Sequence, residues 1–126
     1  MGPSGSRPLL MSGALVDTDV LIDHLRGARS FERPGDATIH HSVVTRAELM
    51  AGSADQVAAV RRLLSAFREL PISGSVADAA GAIRRESGIG LADALIAATA
   101  ILNDLELWTR NVRDFERVNG LRIAGG

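Results

Sequence analysis

Residues 14–27 read ALVDTDVLIDHLRG, and the order of residue types in this stretch decides the fold. Ala14, Leu15 and Val16 form an apolar run that stops at Asp17, Thr18 and Asp19, after which Val20, Leu21, Ile22 and Leu25 recur at helical spacing. The pattern predicts a buried strand that delivers acidic side chains at its C-terminal end, followed by a helix packed back on the sheet. In open parallel sheets that edge is where ligands bind. A carboxylate there is costly to desolvate unless a cation, a donor or water meets it. Asp17 therefore calls for a partner: either a divalent metal, or loop amides with Asp19 or Thr18 capping the helix.

The same grammar repeats downstream. Residues 27–36 form a polar connection, and residues 37–44 (ATIHHSVV) read as the next strand, with a helix starting around Arg46. His40 and His41 are adjacent, so a regular strand sends them to opposite faces and they cannot share one metal. Glu48 has two readings: the N3 partner of Thr45 in a T-x-x-E capping box, or an acid projecting toward Asp17 from a neighbouring strand-to-helix turn. Residues 53–70 supply Val57, Val60, Leu63, Leu64 and Phe67 as the inner face of a helix, with Arg61, Arg62 and Arg68 outward. A short strand at 69–72 and a helix over 75–87 follow, the latter with Val76, Ala79, Ala80 and Ile83 inward. Arg84, Arg85 and Glu86 form its solvated end.

Gly88 to Gly90 turn the chain into LADALIAATAILND (91–104), a stretch with almost no polar face that predicts a helix buried on most sides. Asp93 falls in its first turn. The helix dipole favours a carboxylate there, but an acid held within so apolar a helix points to function. Residues 105–109 return as a strand ending in Thr109, Arg110, Asn111, Arg113 and Asp114; Phe115 and Val118 pin this segment, Asn119 and Gly120 turn, and 121–124 form a last strand.

Composition limits the chemistry. With 126 residues and 46% hydrophobic content the chain suits one domain, placed at 13–126. All fourteen basic residues outside the histidines are arginine, so amine and Schiff-base mechanisms are excluded, and the absence of cysteine excludes disulfides, thiolate zinc sites and cysteine nucleophiles. A net charge of −1 gives no global field toward nucleic acid, so any such binding uses a local arginine patch. Residues 1–12, rich in Gly, Ser and Pro, are expected to be a disordered leader, in part foreign to the native chain, with Met11 as a second candidate start. No apolar run approaches the ~20 residues of a membrane span and no signal peptide is recognisable, so a soluble, cytoplasmic protein is expected.

Alternating strands and helices predict a three-layer α/β domain around a mainly parallel sheet. Such a sheet brings the ends of its strands to one edge, where Asp17, Glu48, Asp93 and the Asn111/Asp114 pair can converge. Clustered carboxylates repel, and an oxygen-only set is stabilised by a hard cation, Mg²⁺ or Mn²⁺. The chemistry such a centre suits is metal-assisted phosphodiester hydrolysis, with Arg110 and Arg113 as phosphate contacts or surface ion-pair partners.

The ordered segments VDTDVLID, SVVTRAELMAGS, GLADALIAATA and TRNVRDFERVNGLRI resemble the PIN-domain ribonucleases, and most closely the VapC toxins of bacterial toxin–antitoxin modules. The resemblance runs from about Leu15 to Ile123. It implies a PIN-like fold, Mg²⁺- or Mn²⁺-dependent endoribonuclease activity that inhibits translation by cutting RNA, a VapB-type antitoxin and a toxin homodimer. By matched position it implies Asp17, Glu48 and Asp93 as the acidic triad, with Asp17 and Asp93 on the metal. The fourth acidic position falls on Asn111 or Asp114; Asp114 is taken as catalytic, while Thr18, Asp19, Thr109, Arg110 and Asn111 are supporting or substrate-contacting candidates. Two rival readings stand beside this one. Asp17-Thr18-Asp19 also fits the opening of haloacid-dehalogenase-like phosphatases, with Asp17 as nucleophile, though their later lysine is missing. The other is a catalytically silent PIN-like domain that only binds RNA or protein.

Overall fold

The computed structural model describes residues 13–27 and 38–125. The expected leader, and all of the polar connection beyond Gly27, lie outside the described residues. The elements are β1 (Ala14–Val16), α1 (Thr18–Leu25), β2 (Ile39–Ser42), α2 (Val43–Met50), a 3-10 turn (Ala54–Gln56), α3 (Val57–Leu64), β3 (Arg68–Leu70), α4 (Gly74–Ser87), α5 (Leu91–Leu102), β4 (Glu106–Thr109), α6 (Val112–Phe115) and β5 (Ile123–Gly125).

The sheet has five strands in the order β3-β2-β1-β4-β5, and every pairing is parallel. β1 is central, and its side chains alternate between two cores as a strand's period of two requires. Leu15 joins Leu107, Val76, Ala80, Phe115 and the apolar side chains of α5 on one face. Ala14 and Val16 pack with Val20, Leu21, Leu49, Val60 and Leu64 on the other. Two cores on opposite faces of one sheet make the three-layer sandwich, and they explain why β1 carries three consecutive buried residues with no polar interruption.

Several boundaries depart from the sequence expectation. Val43 and Val44 have the β-branched character of strand residues, yet they form the first turn of α2, because the Ser42 hydroxyl accepts from Val44 N at 2.9 Å and caps the helix there. The helix therefore begins three residues before Arg46, Thr45 sits inside its first turn, and the Thr45–Glu48 capping box does not form. The helix expected over 53–70 shortens to α3, preceded by the 3-10 turn, and Phe67 lies beyond its end. β3 occupies 68–70 instead of 69–72, β4 and β5 each begin one or two residues late, and the segment after Thr109 folds into the four-residue α6 that periodicity did not reveal. Gly88 closes α4 in the left-handed region at φ +77°, a geometry that reverses the chain directly into α5.

Candidate active site at the sheet's switch point

β1 has β2 on one side and β4 on the other, so the chain's connections diverge in opposite directions from the β1–β4 pair. That is the topological switch point of the sheet, and the crevice beyond its carboxyl ends is the natural ligand site. Asp17 follows β1 directly; its backbone N–H donates to Trp108 O at 2.8 Å, which extends the β1–β4 ladder and sets Asp17 beside Thr109. Its carboxylate is buried at 5% exposure and both oxygens are engaged. Oδ1 accepts from Thr18 N at 2.8 Å, and Oδ2 accepts from the Thr109 hydroxyl at 2.7 Å. Asp17 is thus the N-cap of α1, the role expected of Asp19 or Thr18.

Burial pushes the Asp17 carboxyl up to about 7, helped by the negative charges of Asp19 and Asp93 and opposed by the two hydrogen bonds. Asp93, in the first turn of α5, is also raised, by burial and then by the charges of Glu48, Asp114 and Asp19. It is half-buried rather than enclosed. These mutual fields link Asp17 at the end of β1, Asp19 and Asp93 in the first turns of α1 and α5, Asp114 in α6 and Glu48, which lies in the last turn of α2 rather than near the first turn expected from the sequence. Among the described residues, however, no three acidic or histidine groups stand close enough to form a ready-made metal cage.

A polar network orders the cluster. The Thr109 hydroxyl donates to Asp17 and accepts from Asn111 N at 2.9 Å, and Asn111 Nδ2 donates to Asp114 Oδ2 at 3.0 Å. The two candidates for the fourth acidic position are thus joined: Asp114 supplies charge felt by Asp93, and Asn111 orients the Asp114 carboxylate. Asp19 receives a long contact from Arg110 N at 3.4 Å, while the Arg110 side chain turns to Asp23, 3.3 Å from Nη1. Of the two arginines weighed as phosphate contacts, Arg110 is thereby held in an ion pair, whereas Arg113 is exposed.

On the opposite side, Thr18 Oγ1 donates to Glu48 Oε1 at 2.6 Å and lies 2.9 Å from Thr45 Oγ1. A hydroxyl has one hydrogen, so Thr18 spends it on Glu48 and Thr45 must donate to Thr18. Thr45 is fully buried. The sequence offered it only as a cap, because its actual partner, Thr18, lies 27 residues away. Thr45→Val keeps the shape and removes the donor, so it is expected to lower stability by about 1 kcal/mol, read from the urea midpoint; an unchanged midpoint would show the Thr45 bond to be idle.

Beside Glu48, α1, α2 and α3 leave a groove of about 380 Å³, walled by Ile22, Leu25, Leu49 and Val60, with Arg26 and Glu48 among its lining.

A model of the PIN domain matches residues 14–121. The chain belongs to the PIN domain family. Within it, this PIN domain is 42% identical to Ribonuclease VapC10 of Mycobacterium tuberculosis over 86% of its own length and 90% of that protein. It is 34% identical to Ribonuclease VapC1 of Methanocaldococcus jannaschii, over 89% and 87% of the two chains. Among solved structures it superposes on a chain of the DNA-bound VapBC of Salmonella typhimurium with a TM-score of 0.80 at 27% identity, covering 91% of this chain and 98% of that one. A toxin–antitoxin complex from Klebsiella pneumoniae gives a TM-score of 0.73 at 35% identity, covering 89% and 96%. The expected family and the PIN-like parallel sheet are both borne out, and these relatives bear the name VapC ribonuclease.

Proposed function

We propose that this chain is an endoribonuclease toxin that cleaves RNA phosphodiester bonds at the switch-point crevice, using Mg²⁺ or Mn²⁺, and that an antitoxin partner restrains it. The observation that carries this reading is the convergence of Asp17, Asp19, Glu48, Asp93 and Asp114 on one crevice, with Asp17 pushed up to about 7 and Asp93 also raised. Acids held together against their own repulsion are costly to stability and make sense as a cation site. The donors are all oxygens, which suits a hard ion. An open arrangement fits as well, since Mg²⁺ takes one or two carboxylates and keeps several waters.

Asp17 and Asp93 would hold the ion, which when bound supplies charge stabilisation for the phosphate and a more acidic attacking water. Glu48, fixed by Thr18, is the acid best placed to accept that water's proton, and Asp114 adds charge on the far side with Asn111 holding its carboxylate. Thr109 keeps Asp17 aimed, and Asp19 deepens the negative field. Arg113 would meet the RNA backbone. The phosphatase alternative is disfavoured because the chain has no lysine to serve as the later basic residue of that chemistry.

The groove beside Glu48 is the surface we assign to the antitoxin, because an apolar wall with an arginine and an acid in its lining fits one face of an amphipathic helix. Toxin homodimerisation and action on tRNA or rRNA in the cytoplasm, stopping translation, belong to the same proposal. Among the described residues no helix is long and apolar enough to cross a membrane. The test is incubation of antitoxin-free protein with total bacterial RNA in Mg²⁺, in Mn²⁺ and in EDTA. Discrete fragments with either metal and intact RNA in EDTA are expected; fragments that persist in EDTA would remove the metal from the reading.

A further inference from the structure

α2 carries Glu48; Leu49 is buried, and Val44 and Met50 pack against the two cores. Glu48 also shares a field with Asp93, so like charge pushes this end of the helix away from the crevice. Polar ties on both sides of the helix oppose that push. On the crevice side that is the Thr45–Thr18 pair. On the other side stands a group that the proposed chemistry does not use. Glu69, on the edge strand β3, accepts through the single atom Oε2 from His41 Nε2 at 2.9 Å and from Arg46 Nε.

His41 and Glu69 are register partners across β2 and β3, and Arg46 is the residue after Thr45 on α2. His41 is fully buried, and its Nδ1 has no hydrogen-bond partner among the described residues. Burial holds the His41 ring below its ordinary pKa, so the neutral ring carries its one proton on Nε2, and Nδ1 presents a bare lone pair to the core. A protonated Nδ1 would be a buried donor without an acceptor, so the environment selects the tautomer that donates to Glu69. Glu69 thus joins three elements: β2 through His41, β3 through its own backbone, and α2 through Arg46. Successive helical residues point about 100° apart, so the Thr45 and Arg46 ties restrain α2 from two directions.

Resting on the reading of Glu48 as a member of the nuclease centre, we propose that Glu69 is a positioning residue for Glu48, clasping Arg46 and His41 so that α2 holds its acid at the crevice. Glu69 touches none of the five crevice acids through any contact described above; it acts through the helix. The test uses the full chain with Glu69→Ala, Glu48→Gln and the double variant. The first readout is cleavage of a mixed-sequence fluorogenic RNA oligonucleotide with Mn²⁺, and the second is amide hydrogen exchange of the metal-free protein. Support that acts through an intervening element changes a site's function about 2- to 30-fold, so kcat is expected to fall within that range for Glu69→Ala with KM unchanged. Adding Glu69→Ala to Glu48→Gln is expected to cost nothing further, and exchange is expected to quicken in α2 while β1 and β4 keep their protection.

Arg46→Ala should reproduce both effects. An equal kcat loss in the Glu48→Gln background overturns the proposal, as does unchanged kcat, or exchange that quickens uniformly across the sheet. Should the unmodified protein cleave nothing with either metal, the nuclease reading fails; the clasp then stands or falls on whether exchange quickens selectively in α2.

Discussion

Asp17→Asn is expected to abolish metal-dependent RNA cleavage, down to the level seen in EDTA, and at the same time to stabilise the metal-free protein at pH 8. The two effects have one cause. In the folded state the Asp17 carboxyl titrates at about 7, against 3.8 for the unperturbed group. Between those values the native protein holds a proton that the unfolded chain has released, so stability declines as pH rises across that window, and above it the whole cost is present. At 1.36 kcal/mol per pH unit this cost reaches about 4 kcal/mol in the absence of a cation. The amide removes it while preserving the cap: Asn Oδ1 can still accept from Thr18 N, and asparagine is as good an N-cap as aspartate. The Thr109 hydroxyl, no longer needed by Asp17, can turn toward Asp19 Oδ2, now 3.4 Å away.

Thermal unfolding at pH 5 and pH 8, with and without Mn²⁺, checks this. Wild type is expected to lose stability between the two pH values and to regain it with metal, whereas Asp17→Asn shows little of either. A variant that is less stable than wild type at pH 8 would mean that the carboxylate is compensated by something other than a cation, and would remove the main physical argument for a metal here.

How much of this was legible beforehand follows from which interactions are local. β1 and α5 read directly from the sequence because burial on both sheet faces, or on most sides of a helix, leaves an almost uninterrupted apolar signature, and α1 from the helical spacing of Val20, Leu21 and Leu25. Asp17 stood out for the same reason as β1, as a charge that abruptly follows such a run. The start of α2 was not legible, since Val43 and Val44 favour a strand by side chain and were overruled by one hydroxyl, that of Ser42. Thr45 and Glu69 were invisible as supporting groups because their partners lie 27 and 28 residues away, Thr18 and His41 respectively. No periodicity encodes a hydrogen bond of that separation. Asn111 and Asp114 meet only because α6 forms: a helical turn brings residues three apart together where an extended chain would separate them.

Phe115→Ala is expected to lower folding stability by about 3–5 kcal/mol, a large share of the 5–15 kcal/mol typical of such a domain. Phe115 is fully buried and, among the described residues, heads the largest enclosed side chains, in the core with Leu15, Leu107 and Val118. α6 has four residues, far below the ~12 at which an isolated helix becomes even marginal. It exists because Phe115 plugs the core at its end. Asp114, the preceding residue, then faces the crevice with Asn111. Truncation should therefore cost function beyond stability: at a temperature where the variant remains folded, cleavage should fall because Asp114 is no longer held near Asp93. Phe115→Leu keeps an apolar plug and should retain most of the activity at a smaller loss of stability. Urea unfolding and Mn²⁺-dependent RNA cleavage of the two variants separate the effects. If Phe115→Ala keeps wild-type cleavage while unfolding more easily, Asp114 is held by Asn111 alone, and the core plug serves only the fold.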